Sequence, residues 1–402
     1  MSAARGWAGQ RSTSGTASLP RSLLRRATAR DSRLRHLDWV LLATVLLLSL
    51  LGTLLVWSAT QPALIASGAD PRTYLMKQLL NIAIGLVLMT AVSLLDYRQL
   101  RMYAPVLYGV SLLGLIAVLS PLGARVNGSK SWIAVPGGFQ IEPSEFGKIA
   151  IILTTAMLLS HVRQTENRPR IRSVGLAIGI AAVPIALVVL EPDLGVAIIM
   201  MMVLIGLVAL SGIRLRWLVG MAVGGALTVL VVLNLHLLHA YQLSRLTSFL
   251  NPTADPQGSG YNAAQAKIAV GSGGVFGQGL FHGQLISGNF VPEQHTDFIF
   301  AVAGEELGFI GAAGIIALLA VLLLRALRIA ARADDQFGML VASGIVIWFA
   351  VQAFINIGMA VGIMPVTGLP LPFVSYGGSA MFADMIAIGA LMTVHRHRSV
   401  FG

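Results

Sequence analysis

The sequence predicts an all-α polytopic membrane protein: ten transmembrane helices, with a large extracytoplasmic segment between the seventh and the eighth. Three observations carry that expectation. The chain is 56% hydrophobic and only 11% charged over 402 residues, with a mean hydropathy of +0.79. A soluble chain of that size could not cover its surface with so few charges. Its apolar residues fall into repeated runs near the length needed to cross hydrocarbon. Its basic residues sit mostly in the short segments between those runs.

In chain order the runs fall near 37–57, 75–95, 103–121, 149–162, 172–190, 194–211, 216–236, 298–325, 338–362 and 375–394. The fourth is short. Glu191-Pro192-Asp193 separates the fifth from the sixth, a turn that no helix continues through. The organisation is therefore a basic tail (1–36), a ten-helix domain (37–395) and a short tail (396–402). The first tail, rich in Arg, Ser and Ala, has no apolar run, so it does not read as a signal peptide. It reads as a solvated, disordered tail near anionic headgroups, with a nucleic-acid or partner-binding arm as the alternative.

An even number of spans puts both ends on one side. With the tails inside, the inner segments hold 21 of the 28 Lys and Arg residues and the outer segments hold 7. The positive-inside rule thus places both termini in the cytoplasm of a multi-pass inner-membrane protein. That distribution also explains the formal charge of +11 without a nucleic-acid partner. The longest outer segments are then 122–148 and 237–297, rich in Gly, Pro and polar residues. Sixty residues far exceeds an ordinary connection. With Tyr261, Phe290 and Phe298, the second reads as a folded loop against the membrane, and the chemistry is expected on the outer face.

Several function classes lack their motifs. There is no cysteine for a disulfide or thiolate metal site. Gly271-Ser272-Gly273-Gly274-Val275-Phe276 breaks the dinucleotide fingerprint at its sixth position, and Gly147-Lys148-Ile149 is no Walker A sequence. No HExxH and no Asp-x-Asp occurs. A sugar donor would more naturally be lipid-linked and arrive from the bilayer.

Charged residues at span ends stand out against this background. Asp297 lies where the long outer loop meets the eighth span. Partial burial there suits a carboxylate to proton abstraction, although an acid at a helix N-terminus also complements the dipole. Glu145 and Lys148 open the fourth span behind Pro143. Their i,i+3 spacing gives either a local ion pair or a charged pair facing a cavity and holding phosphate. Trp132, before that helix, is an interfacial anchor or a platform for a sugar ring. Glu305 and Glu306, below Asp297, are expected to pair with buried arginines or backbone. Asp384 lies about 14 Å inside the last span and must be protonated, paired or wet. Residues 271–279 pack closely, form a flexible loop or present amides to phosphate.

Five separated segments in one order resemble a single family. They are Pro143-Ser144-Glu145, Glu191-Pro192-Asp193-Leu194-Gly195, Lys267-Ile268-Ala269-Val270-Gly271-Ser272-Gly273-Gly274, His295-Thr296-Asp297-Phe298-Ile299-Phe300-Ala301 with Gly304-Glu305-Glu306-Leu307-Gly308, and Leu369-Pro370-Leu371-Pro372-Phe373-Val374-Ser375-Tyr376-Gly377-Gly378-Ser379. Together they are similar to the SEDS proteins (RodA, FtsW and SpoVE) over residues 37–395. Met364-Pro365-Val366-Thr367-Gly368-Leu369-Pro370, with Asn251-Pro252 and Asp255-Pro256, resembles the RodA form.

The resemblance implies a peptidoglycan glycosyltransferase that polymerises lipid II on the outer face during elongation. It would work with a class B penicillin-binding protein transpeptidase and other elongation-complex membrane proteins. The family's essential aspartate falls on Asp297, its cavity residues on Glu145 and Lys148, and its loop tryptophan on Trp132. The sequence departs from the family at Ser131, Gly147 and Asp384, where Arg, Ala and Asn are more usual. Asp297 is then the expected general base on the acceptor hydroxyl. Charge on the departing undecaprenyl pyrophosphate would be neutralised by Lys148 with Arg245 or Lys267, or by a divalent cation such as Mg or Mn. The rival expectations are a lipid II flippase and a non-catalytic scaffold.

Overall fold

The computed structural model describes residues 38–126, 129–135, 139–160, 171–234, 258–401 and the isolated positions 245, 247 and 249. The tail 1–36 and much of the segment 237–297 before residue 258 lie outside the described residues. The remainder is mostly helical.

In chain order the helices are α1 (Trp39–Ala66), α2 (Thr73–Leu94), α3 (Tyr97–Leu119), α4 (Pro143–Leu159), α5 (Ile171–Leu190), α6 (Leu194–Leu210), α7 (Leu215–Asn234), α8 (Ser259–Ser272), α9 (Gln284–Ser287), α10 (Ile299–Ala331), α11 (Gln336–Val361) and α12 (Gly378–Phe401). Seven are long and apolar enough to cross a membrane: α1, α2, α3, α5, α10, α11 and α12. α4 and α6 have 17 residues each, the lower end of what spans hydrocarbon, and α7 is apolar over Leu215–Leu227.

Local chemistry sets the helix ends. Asp38 caps α1 by accepting the Leu41 N–H at 3.0 Å and pairs with Arg325 of α10 at 3.0 Å. Asp193 closes the Glu191-Pro192-Asp193 turn by accepting the Val196 N–H at 3.1 Å and opening α6. Pro143 occupies the first turn of α4, where its missing N–H costs nothing. Three spans overrun their expected ends, α12 among them, which runs to Phe401. α1 continues past Trp57 and through Pro62 to Ala66, and α10 runs to Ala331. Apolar-run reading stops at polar residues, whereas tertiary partners keep the backbone helical. At α1, for example, Gln294 Nε2 donates to the Ala59 carbonyl at 2.7 Å, beside the carbonyl that Pro62 leaves unpaired.

The segment 122–148 is more ordered than its Gly and Pro content predicts. It forms an antiparallel sheet of β1 (Gly123–Val126), β2 (Ser129–Val135) and β3 (Phe139–Ile141), with Trp132 opposite Ala124 and Ile133 between Gly123 and Ile141. Lys130 Nζ donates to the Leu119 and Ser120 carbonyls at 3.1 and 2.7 Å, closing the C-terminus of α3. Ser379 Oγ accepts the Glu142 N–H at 2.9 Å and donates to the Gln140 carbonyl at 3.2 Å, pinning the sheet to α12. The sheet thus delivers the chain into α4 along a fixed path.

α4 and α11 form the centre. α4 packs against α3, α5, α6, α11 and α12, and α11 against α4, α6, α8, α10 and α12. Each is therefore flanked by protein on several sides, and polar side chains on them find partners that lipid would not supply.

α10 is broken at Gly308, whose φ is +66°. The glycine run 273–279 packs into the break. The Gln278 and Gly279 N–H groups donate to the Glu305 and Glu306 carbonyls at 2.9 Å, and the Phe309 N–H donates to the Gly274 carbonyl at 2.9 Å. A Cβ on Gly273 would lie 1.9 Å from the Gly304 carbonyl oxygen, so only glycine permits the approach. Of the expectations for 271–279, close packing is what the fold uses.

Candidate functional site

Asp297 sits in the turn that leads into α10. Its N–H and that of Phe298 both donate to the Glu293 carbonyl, at 3.0 and 3.2 Å. Its backbone carbonyl accepts from Asn356 Nδ2 of α11 at 2.8 Å. The carboxylate is half-buried and faces the segment 366–371. Gly368 there has φ +80°, and a Cβ built on it would meet Asp297 Oδ2 at 3.4 Å and the Arg245 guanidinium at 3.7 and 3.9 Å. Glycine thus serves the backbone turn and leaves open the space between the carboxylate and the guanidinium. Arg245 donates to the Thr367 carbonyl at 2.9 Å, so acid and cation flank the same point from opposite segments.

Burial is the main force on Asp297 and pushes its pKa up to about 7, with the negative charge of Glu293 adding to it. Arg245 and the Thr296 hydroxyl pull the other way, and Asp193 adds a small upward push. The result is an acid poised near neutrality, where a general base works best. Two neighbouring acids outside the helices are also raised, Glu191 to about 8 and Glu142 well above the carboxylate range. Burial leads in both cases, reinforced by Asp193. His295, two residues before Asp297, is kept neutral by burial. It packs edge-on to Tyr74 at 4.9 Å, and its carbonyl accepts the Tyr376 N–H at 2.9 Å.

Glu145 and Lys148 are almost fully buried at the top of α4, with Oε2 and Nζ 2.8 Å apart. Lys148 also donates to Gln352 Oε1 at 3.0 Å and lies 4.6 Å from the Trp348 ring centroid. This is more than a closed local pair: two α11 side chains complete the ammonium's surroundings. Asp384 of α12 faces the same Lys148 and Glu145, and its Oδ2 accepts the Phe373 N–H at 3.3 Å. The depth that makes Asp384 conspicuous in the sequence is thus met by a nearby cation and a backbone donor.

The other candidates fall further out. Trp132 is half-buried on β2. Lys267, exposed on α8, lays its aliphatic stem over Gly362 at the end of α11. Glu305 accepts the Leu285 and Ile286 N–H groups at 2.8 and 3.0 Å, and Glu306 accepts from Ser58 Oγ at 2.5 Å and from the Phe281 N–H at 3.3 Å. Backbone and a serine, not arginines, are therefore their partners. Among the described residues no three His, Asp or Glu side chains converge as they would around a metal ion. Gln352 and Asn356 bridge this site but gave no signal to a reading built on charge; two amides four residues apart in an apolar run are the trace that would have found them.

The cell cycle protein family that groups FtsW, RodA and SpoVE matches residues 38–400. This chain belongs to the SEDS family. This SEDS protein is 39% identical over 365 residues to "Peptidoglycan glycosyltransferase MrdB" of Escherichia coli K12, covering 91% of the chain and 95% of the relative. It is 39% identical over 362 residues to "Stage V sporulation protein E" of Bacillus subtilis, covering 90% and 97%. To "Probable peptidoglycan glycosyltransferase FtsW" of Trichlorobacter lovleyi it is 38% identical over 365 residues, covering 90% and 94%. Among solved structures it resembles the rod shape determining protein RodA of Thermus thermophilus, with a TM-score of 0.64 and 29% identity over 90% of this chain and 97% of that one. A chain from a peptidoglycan synthase complex that coordinates polymerization and crosslinking aligns with a TM-score of 0.73 and 30% identity, over 90% and 98%. This SEDS protein is thus a multi-pass membrane protein with a RodA-like fold.

Proposed function

We propose that this SEDS protein is a peptidoglycan glycosyltransferase that polymerises lipid II at the outer face of the cytoplasmic membrane, with Asp297 as general base. The carrying observation is the Asp297 carboxylate, raised by burial to about 7 and flanked by Arg245 across Gly368. Relatives named as peptidoglycan glycosyltransferases support the reaction class.

Asp297 takes the proton of the acceptor GlcNAc 4-hydroxyl. The oxygen attacks the anomeric carbon of MurNAc on the donor strand and forms the new glycosidic bond as the bond to undecaprenyl pyrophosphate breaks. The configuration inverts, and the negative charge leaves on the pyrophosphate. One carboxylate suffices, because pyrophosphate needs charge neutralisation more than a proton. Arg245 is the cation best placed to provide it. In this reading Lys148, held by Glu145 and Gln352, and Lys267 join Arg245 in neutralising the leaving group, and Trp132 contacts the lipid-linked sugar.

The same reading includes ten spans, counting the 17-residue helices α4 and α6 and the partly described α7 with the seven long ones. The tally of 21 basic residues inside against 7 outside then puts both termini in the cytoplasm. The synthase-complex relative supports a transpeptidase partner of the penicillin-binding class. The RodA-like segment 364–370 favours elongation.

The test is polymerisation of lipid II by purified full-length protein with its transpeptidase partner, wild type against Asp297→Asn. Long strands from wild type and a loss on the order of 10³-fold in a variant that folds and inserts normally are expected. Strands of wild-type yield from Asp297→Asn would remove the base assignment. No strands from either, beside a working control polymerase, would remove the enzyme reading.

A further inference from the structure

Two amide side chains on α11 connect parts of the site that lie on different elements. Gln352 and Asn356 are one helical turn apart on the same face, and both are fully buried. Gln352 Oε1 accepts from Lys148 Nζ at 3.0 Å and from Trp348 Nε1 at 2.7 Å, and its Nε2 donates to the Pro370 carbonyl at 2.8 Å. Asn356 Nδ2 donates to the Asp297 carbonyl at 2.8 Å and to the Leu369 carbonyl at 2.7 Å. The Gln352 amide can point only one way, because the lysine ammonium and the indole N–H have no acceptor to offer it. The two side chains therefore grip the consecutive carbonyls of Leu369 and Pro370 from below.

The gripped segment is the one that backs the acid. Gly368 precedes Leu369 and lies against Asp297 Oδ2, and Thr367 holds Arg245 through its carbonyl. A shift of Leu369 and Pro370 would move Gly368 and the Arg245 anchor together, while loss of the Asn356 bond would free the Asp297 backbone. No other neutral side-chain type supplies two N–H donors and a carbonyl acceptor at once. A carboxylate would lose the donors, and an aliphatic side chain would lose all of the bonds.

We infer that Gln352 and Asn356 are positioning residues that fix the Asp297 carboxylate and the Arg245 guanidinium relative to each other, and tie both to the buried Lys148–Glu145 pair. This rests on the reading of Asp297 as base. Neither amide touches the reacting atoms. They act by holding a rigid geometry in which small displacements of the base are costly.

The experiment measures kcat, KM and the pH profile of lipid II polymerisation by the full-length protein, for wild type, Asn356→Asp, Asn356→Gln, Gln352→Glu and Asp297→Asn. Melting temperatures in detergent are taken on the same samples. Asn356→Asp is isosteric but donates nothing, and Asn356→Gln keeps both donors. Gln352→Glu keeps the acceptor for Lys148 and Trp348 and loses the donor to Pro370. Expected is a fall in kcat of about 100-fold for Asn356→Asp, with KM unchanged and most of the rate regained in Asn356→Gln. The acid limb should also move to higher pH in Asn356→Asp. Its new charge would join Glu293 and Asp193 in opposing ionisation of Asp297, against Arg245 and the Thr296 hydroxyl. Gln352→Glu should lower kcat with an intact KM, and it provides the reading if Asn356→Asp fails to fold.

Wild-type kcat and pH profile in folded variants, beside an inactive Asp297→Asn, would overturn the inference alone. So would a loss of kcat that follows the melting temperature while the pH profile stays fixed, since that marks a purely structural role. Wild-type activity in Asp297→Asn would overturn the base reading and this inference with it.

Discussion

Two sets of buried acids lie within three turns of each other along α10, and they are built in opposite ways. Glu305 has both oxygens engaged by the Leu285 and Ile286 N–H groups, and Glu306 has one oxygen engaged by Ser58 and the Phe281 N–H, so these acids hold chain to chain. Asp297, at the mouth of the same helix, has a half-open carboxylate with a hydroxyl, a cation across a glycine and like charges nearby. An acid whose oxygens are taken up by backbone amides is held in its place. One left unsaturated and crowded by negative charge is free to exchange a proton. The contrast separates architecture from chemistry more sharply than burial does.

The largest expected effect sets the two sets directly against each other. Asp297→Asn should cost on the order of 10³-fold in polymerisation with an unchanged melting temperature. Glu305→Ala should do the reverse, because two buried N–H groups lose their acceptor at about 1–3 kcal/mol each. It is read as a lower melting temperature in detergent and weaker yield. A Glu305→Ala protein with wild-type stability but no activity would break the comparison.

The Glu145–Lys148 pair sharpens it next. Lys148→Met leaves a buried carboxylate without its cation and should destabilise by about 3–5 kcal/mol. The double change Glu145→Gln, Lys148→Met should regain most of that stability. If polymerisation stays low in the stable double variant, measured as strand yield, the pair contributes charge to the reaction as well as order to the fold.

Smaller effects test the balance of forces on Asp297. Arg245→Gln removes the cation that favours the ionised form, so the acid limb of the kcat/KM profile should rise above about 7. The rate should fall by about 10²-fold through loss of leaving-group stabilisation. Glu293→Gln removes a like charge, so the acid limb should move the other way, by less than about one pH unit. Equal shifts in the same direction would show that neither charge acts on Asp297.

Much of the frame was legible because lipid imposes it. Apolar runs gave the helices in order, the Glu191-Pro192-Asp193 turn separated α5 from α6, and Pro143 marked the start of α4. The sheet at 123–141 was hidden because its strands are short and interrupted by Gly and Pro, which read as loop. The break at Gly308 was hidden for a different reason: hydropathy runs on through it, and only the tertiary approach of 273–279 shows why the backbone turns there. At the site, the charged residues Asp297, Glu145 and Lys148 announced themselves by their position at span ends, whereas Arg245 entered only as a basic residue of the long loop. Gln352 and Asn356 did not, since a neutral amide in a span has meaning only once its partners are known. Asp384 lay between: its depth flagged it, and its relation to Lys148 came only from the packing of α12 on α4.

The interlock between the glycine run and α10 also sets a rule for building chimeras. Residues 273–279 and 304–309 exchange backbone hydrogen bonds across a gap that admits no side chain, with the Gly277 Cα facing the Glu306 carbonyl and the Gly308 Cα facing the Gly277 nitrogen. An outer loop transplanted between relatives must therefore carry both stretches as one cassette. A splice placed between them would join two surfaces never selected to touch.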